Sequence, residues 1–467
     1  MSAEMQAYPE YKVTGLWWLG EIPAHWELKV GHSAFTPKQV KNVGLLEKKV
    51  LSLSYGRIVV KPQEKLHGLV PESFETYQIV DPGDIIIRGT DLQNDKQSLR
   101  IGFSRYRGII TSAYICLKPL PTVSAEYAYQ ILNVYDLTKA IYAYGSGLRQ
   151  NLDKSDLERI PVFLPPRDEQ DAIVSYLNMV DKRINRFIRN RQRLIEVLKE
   201  QKQAITNKAV TQGLGPNVPL KPSGVDWIGD IPKDWKVLRA KYLFDEVDKR
   251  SMDGSETHLS MSQKLGLVPA GDLEEHHFHS NSYAGGKIVE LGDIVLNRLK
   301  AHLGVFRLSE QCGVISPDYT VLRPKNIESA KYFELVLTSS IIRPELRCRV
   351  KGLVEGFWRL YTDDFYDIRL PVPPIHKQLN IVRQIKRETA ELDAAIKTSE
   401  HEIDLIREYR TRLISDVVTG KLDVRHLAPA PKSEELEEEF NELEPLDEAA
   451  GEMGEEALTE EVSYADR

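Results

Sequence analysis

Three stretches of this 467-residue chain hold side chains that could do chemistry. EEHHFH (Glu274 to His279) sets His276, His277 and His279 beside two glutamates, donors that suit a divalent metal. SPDYTVLRPK (Ser316 to Lys325) offers an acid and a lysine, two parts of a metal-dependent nuclease centre, but no second acid at the required spacing. The double prolines in LPPR (Leu164 to Arg167) and VPPI (Val372 to Ile375) lack the acid or amide before and the aromatic after that an amino-methyltransferase pocket uses. No G-x-x-x-x-G-K-[ST] loop is present, and no glycine-rich turn follows a strand in the dinucleotide-binding manner. Adjacent histidines on a strand or loop point apart, and EEHHFH has no fourth ligand set. It reads as a surface turn, with metal binding as the rival. Cys116, Cys312 and Cys348 form no metal-ligand or disulfide pattern. The expectation is a chain with no catalytic residue, no metal and no cofactor of its own.

Composition bounds the rest. Hydrophobic content of 42% and charged content of 28% belong to a core-forming protein, and the length suits two to four domains. No apolar run approaches the roughly 20 residues of a membrane span, and MSAEMQAYPEYK lacks a signal-peptide profile. A cytoplasmic address is the expectation. The net charge of −7 is uneven: Lys432 to the end holds 15 acids against 2 bases, leaving 60 bases and 54 acids in residues 1–431. A mildly basic body is compatible with a nucleic-acid partner. The acidic, aromatic-poor tail reads as disordered, either a DNA mimic or a solubility device.

The elements that must position any site come in two copies. WLGEIPAHW (Trp18 to Trp26) returns as WIGDIPKDW (Trp227 to Trp235), and five of six tryptophans lie in or beside these stretches. A shift of 208 or 209 residues also aligns VLSLS (Val50 to Ser54) with HLSMS (His258 to Ser262). PGDIIIR (Pro82 to Arg88) meets LGDIVLN (Leu291 to Asn297), and LERIPVFLPPRDEQ (Leu157 to Gln170) meets FYDIRLPVPPIHKQ (Phe365 to Gln378). This is a tandem duplication of about 200 residues. Each copy opens with short β-branched and aromatic runs broken by Gly, Pro and Asp, which read as strands and turns with some helix between. After each double proline a long run without Gly or Pro follows.

Those runs carry apolar residues at 3-4 spacing, a coiled-coil seam. The first seam is Val174, Leu177, Ile184, Ile188, Ile195, Leu198 and Ile205; the second is Val382, Ile385, Leu392, Ile396, Ile403, Ile406 and Leu413. Polar interruptions recur at matched places: Asp181 and Thr389, Arg191 and Ser399, Lys202 and Arg410. About 45 residues at ~1.5 Å each make a rod of about 65 Å. Matched registers favour two helices packing on each other; an amphipathic helix lying on its own domain is the alternative.

In this order of parts the chain resembles the specificity subunit of type I restriction-modification enzymes. The resemblance covers residues 10–422 and rests on W-x-G-[ED]-I-P-x-x-W before each globular half with P-P-x-x-x-Q opening each helix. Glu169 in the first copy is Lys377 in the second, where the family commonly has an acid; this is read as a surface position in the first helical turn. The resemblance implies two α/β (α+β) target recognition domains, at 1–166 and 214–374. Each is followed by a spacer helix, at 167–213 and 375–422, the two paired as an antiparallel coiled coil, with an acidic tail at 423–467. It further implies a non-catalytic chain that reads a bipartite, asymmetric site on double-stranded DNA, with no membrane partner. Two modification subunits would bind S-adenosylmethionine and methylate adenine, and two motor-nuclease subunits would use ATP and Mg2+. A methyltransferase-only system and a coiled-coil scaffold that never touches DNA are the alternatives.

Under that resemblance, readout should reside where the copies differ, because the half-sites differ. In the first copy this selects Arg57, Lys61 and Lys65, then RGTDLQNDKQSLR with Arg88, Asp91, Gln93, Asn94, Lys96 and Arg100, and then Arg105 and Arg107. In the second it selects NRLKAHLGVFR with Asn297, Arg298, Lys300, His302 and Arg307. A further pair is YGSGLRQNL, with Arg149, Gln150 and Asn151, and RCRVKGLVEGFWRL, with Arg347, Arg349, Lys351 and Arg359, each read as a flexible glycine turn. Lys and Arg would bind phosphate, and Arg, Gln and Asn would read guanine and adenine. The near-identical tryptophan elements read as structural clasps, with subunit docking as their rival.

Overall fold

The computed structural model describes residues 6–62, 73–90, 92, 98–145, 151–215, 217–262, 266–272, 283–352 and 358–427. The chain divides into two compact units. The first comprises residues up to Asn190 and from Glu402 onward; the second runs from Arg191 to His401. No helix among the described residues is long and apolar enough to cross a membrane.

Each unit is built on a four-stranded antiparallel sheet. In the first the strand order is Phe35–Lys38, Ile115–Pro119, Ile85–Ile87, Ile101–Phe103; in the second it is Phe244–Val247, Tyr319–Pro324, Ile294–Asn297, Phe306–Leu308. The order is the same in both, as a duplication requires. The central strands read III and IVL because both faces are covered. Ile85 and Ile87 pack into the main core with Tyr127, Ile131 and Tyr135 of helix Ala125–Leu137, while Ile86 joins Leu51, Ile58 and Cys116 on the opposite face. In the second unit Ile294 and Leu296 take the helix side and Val295 the other. The KVLSLSYGRIVV run is a hairpin, Leu51–Ser54 with Arg57–Val60, turning on Tyr55 and Gly56, both at positive φ.

The double prolines divide strand from helix in both copies. Strands Pro161–Leu164 and Arg369–Val372 end there, and helices Arg167–Gln212 and Ile375–Val418 begin. The glutamine of P-P-x-x-x-Q explains its own spacing. Gln170 and Gln378, both buried, donate from Nε2 to the carbonyls of Pro165 (2.9 Å) and Pro373 (2.8 Å), tying the first helical turn to the incoming strand.

Inside each unit, segments of the two long helices run antiparallel. In the first, Ile173, Val174 and Leu177 share a core with Leu413, Val417 and Val418, and Arg410 pairs with Asp181 at 3.1 Å. In the second, Ala209 and Val210 share a core with Ile381 and Ile385, and Lys202 pairs with Asp393 at 2.5 Å. Of the seam residues, Val174, Leu177, Ile184, Ile188, Ile195, Ile385, Ile403 and Leu413 are buried. Leu198, Ile205, Val382, Leu392, Ile396 and Ile406 are half-buried, while the off-seam Val197 and Leu405 are exposed. Three of the polar interruptions take part in ion pairs within these segments: Asp181 with Arg410, and Lys202 with Asp393.

The tryptophan clasps sit where helix ends meet. Trp26 and Trp235 are fully buried, and the turns before them close at Gly20 and Gly229, both at positive φ. Gly420, after the second helix, lies against the first clasp: a Cβ there would stand 2.4 Å from Pro23 and 2.9 Å from the Trp26 ring, and φ is +77°. Gly213, after the first helix, meets Trp235 at 3.4 Å with φ +80°. Both substitutions strain the backbone, but only the first also clashes. Gly420→Ala should therefore cost about 3 kcal/mol and Gly213→Ala about 1 kcal/mol. Comparing their denaturant midpoints checks this, and equal losses would contradict it.

Candidate nucleic-acid interface

Two candidate stretches that lie about 60 residues apart in each copy are brought together at the same end of the sheet. In the first unit the chain leaves strand Ile85–Ile87, and the Gly89 carbonyl accepts a hydrogen bond from the Leu152 amide at 2.8 Å. Gly89 permits this approach, because a Cβ would lie 2.7 Å from the Leu152 carbonyl oxygen. In the second unit the chain leaves Ile294–Asn297, and the Arg298 carbonyl accepts from the Leu360 amide at 3.2 Å. Residues 89 and 152 correspond to 298 and 360 under the repeat. A short helix follows each junction, Lys154–Arg159 with an Asp153–Asp156 capping box and Thr362–Tyr366.

The second unit's surface is the more fully described. Asn297 Oδ1 accepts from the amides of Leu299 (3.1 Å) and Lys300 (3.2 Å), which fixes the turn. Arg298 donates from Nε to the Asp318 carbonyl at 2.6 Å. Arg347 and Arg349 lie on helix Arg343–Arg349, so that part of the stretch is a helix rather than the expected glycine turn. Arg349 pairs with Glu345 and Lys351 with Asp364, both at 2.7 Å. Lys351 and Arg359 exchange backbone hydrogen bonds of 2.9 and 2.8 Å. Arg307 lies beside Gly266. Among the described residues no acidic side chain pairs with Lys300, Arg347 or Arg359. His302 meets Trp358 edge-on at 5.4 Å. Trp358 escaped the sequence reading, although an aromatic within a basic, glycine-containing stretch was an available signal.

Burial, and then the neighbouring positive charge of Arg347, lower the His302 pKa, so the ring is neutral at pH 7. The negative charge of a phosphate brought here would oppose the effect of Arg347 and favour the protonated ring. Duplex DNA should raise the His302 pKa, which an NMR pH titration of its ring protons with and without duplex would show. An unchanged or lower value would remove His302 from the interface.

In the first unit Arg57, Lys61, Arg105 and Asn151 are exposed and Arg88 is half-buried. Arg57 and Arg105 both lie within electrostatic reach of Tyr129. Arg107 is held by Asp81 at 2.6 Å and Glu47 at 3.5 Å. Arg100 requires correction: it is 0% exposed, its guanidinium donates to the Thr90 carbonyl at 2.7 Å, and its amide donates to Asp136 at 2.5 Å. It pins the 88–90 segment to helix Ala125–Leu137 and does not face a ligand. Lys65, Asp91, Gln93, Asn94, Lys96, Arg149, Gln150, the EEHHFH stretch and the acidic tail lie outside the described residues. No cluster of metal-ligating side chains occurs among the described ones.

Glu169 requires a second correction. It is 3% exposed, not a surface group. Its carboxylate accepts from the Tyr8 hydroxyl (2.5 Å) and the Trp26 indole (2.9 Å), and His25 Nε2 lies 2.8 Å away. Burial, followed by the hydrogen bond to Glu169, pushes the Tyr8 phenol well above its ordinary pKa, so it remains a donor. In the second copy Lys377 pairs with Asp234 at 2.7 Å in a half-exposed setting.

A family model for the type I restriction modification DNA specificity domain matches residues 42–197. Among curated proteins, a chain assigned as the MjaX type I restriction enzyme specificity subunit of Methanocaldococcus jannaschii is 24% identical over 426 residues, covering 87% of this chain and 96% of that one. The MjaVIII specificity subunit of the same organism is 24% identical over 337 residues, covering 69% and 76%. A chain from a solved structure of a type I R-M system, described for its complex assembly and conformational transition, superposes with a TM-score of 0.57. That match has 14% identity and covers 86% of this chain and 99% of that chain, a likeness of fold. The first copy thus matches the type I restriction modification DNA specificity domain, and the chain as a whole is similar in sequence to type I restriction enzyme specificity subunits and in fold to a chain of a type I R-M system.

Proposed function

We propose that this chain is the non-catalytic, DNA-reading subunit of a type I restriction-modification complex. Residues 1–166 and 214–374 act as recognition domains for two different half-sites, and 167–213 with 375–422 act as the spacer between them. The observation that carries this reading is the matched junction, Leu152 to Gly89 and Leu360 to Arg298, which closes at the same place in two copies of one fold whose flanking sequences differ. Two modules on one chain suit a bipartite, non-palindromic target, which a homodimer with identical halves does not. Two modification subunits carrying S-adenosylmethionine would methylate adenine at that target, and two motor-nuclease subunits would bring ATP and Mg2+ chemistry to it, all within the cytoplasm.

The test is co-expression with the neighbouring modification subunit, followed by base-resolved mapping of adenine methylation. A two-part asymmetric motif with a constant gap is expected. Methylation that is the same without this chain, with no salt-sensitive duplex binding by the complex, would overturn the reading in favour of an assembly scaffold.

A further inference from the structure

Residues 182–193 of the first long helix, KRINRFIRNRQR, hold six bases and no acid; the matched residues 390–401 of the second, AELDAAIKTSEH, hold three acids and one lysine. The seam is preserved through both, with Ile184 and Ile188 matching Leu392 and Ile396. Helix packing therefore does not demand this reversal of outward charge. In the first unit Arg183 and Arg186 are exposed and Arg189 is half-buried, three residues apart along the helix, and among the described residues none of them is in an ion pair. Like charges at this spacing repel and cost helix stability. Such a row is suited to an anionic partner.

The chain supplies one. Residues 432–467 carry 15 acids and 2 bases. They follow Leu427, which packs against the first unit's core, and Arg425, which lies over the Tyr8 ring at 5.0 Å. Tyr8 is bonded to Glu169 in the first turn of the same helix. From there to Arg183–Arg189 is roughly 20–30 Å at ~1.5 Å per residue. A segment the length of residues 428–467 spans on the order of 35 Å even as a random coil. Tethering also gives an effective concentration on the order of millimolar, which a free polyanion must match.

We propose that the Arg183–Arg186–Arg189 face is a docking site for the chain's own acidic segment 432–467, which thereby screens the first unit from other polyanions. The docking stands independently of the DNA-reading function; only the screening rests on it.

A photo-crosslinking benzoylphenylalanine placed at the exposed Asn190 of the full chain, in complex with its modification partner, tests this. At low salt, mass spectrometry should find peptides from 432–467 joined to residue 190, and both high salt and the combined Arg183→Gln, Arg186→Gln, Arg189→Gln variant should abolish the capture. Added duplex should compete for the face. Failure to capture tail peptides, capture of duplex in their place throughout, or capture indifferent to the triple variant overturns the proposal. Tail capture in a complex that directs no methylation would leave the docking intact and sink the proposed function.

Discussion

Glu169→Ala should lower the unfolding midpoint of the first unit by about 8 °C, and Glu169→Lys by more. Removing the carboxylate strands the Tyr8 hydroxyl, the Trp26 indole and the His25 ring around a buried position. Buried donors left without an acceptor cost about 1–3 kcal/mol each before relaxation, so a net loss of about 3 kcal/mol is expected. For a unit of this size each kcal/mol moves the midpoint by about 2–4 °C. Lysine adds an unpaired buried charge, raising the loss to about 5 kcal/mol. The matched change Lys377→Glu breaks only a half-exposed pair with Asp234 and should cost about 1 kcal/mol or less. Differential scanning calorimetry of the three variants decides it. If Lys377→Glu proves as damaging as Glu169→Lys, the buried network is not what holds the first clasp.

That asymmetry shows where sequence reading reaches and where it stops. The duplication, the long helices and their register were legible because each is written in local spacing: a 3-4 apolar period, a double proline, a repeated tryptophan pair. Glu169 was not, because an acid in a first helical turn ordinarily faces water. Its burial comes from Tyr8 and Trp26, more than 140 residues earlier in the chain. Arg100 was misread for a similar reason. Within RGTDLQNDKQSLR nothing local separates a basic residue that faces solvent from one folded under the loop to Asp136 and Thr90. The helical setting of Arg347 and Arg349 was masked by the glycines that follow, Gly352 and Gly356. The meeting of residues 89 and 152 is tertiary and left no periodic trace. It does explain why two separate candidate stretches were needed in each copy to describe one surface.

Under the proposed function the candidate basic residues divide by unit, and so should their effects on sequence choice. Lys300→Ala with Arg347→Ala should alter recognition of one half of the methylated motif, and Arg57→Ala with Lys61→Ala the other. A side chain on a base edge is worth about 1–3 kcal/mol of discrimination, so its loss should relax one half-site position by roughly 5- to 150-fold in methylation preference. A side chain on phosphate should instead weaken every sequence alike and reduce the salt slope of binding by about 0.9 per contact. Methylation profiling across a randomised target library, with binding measured over a range of salt, separates these outcomes. Both pairs disturbing both halves equally would mean that the reading surface lies elsewhere in the units. A change confined to one half by each pair would support the proposed division of reading between the copies: the sheet order and helix register are common to both, and the basic surface residues are among those that differ.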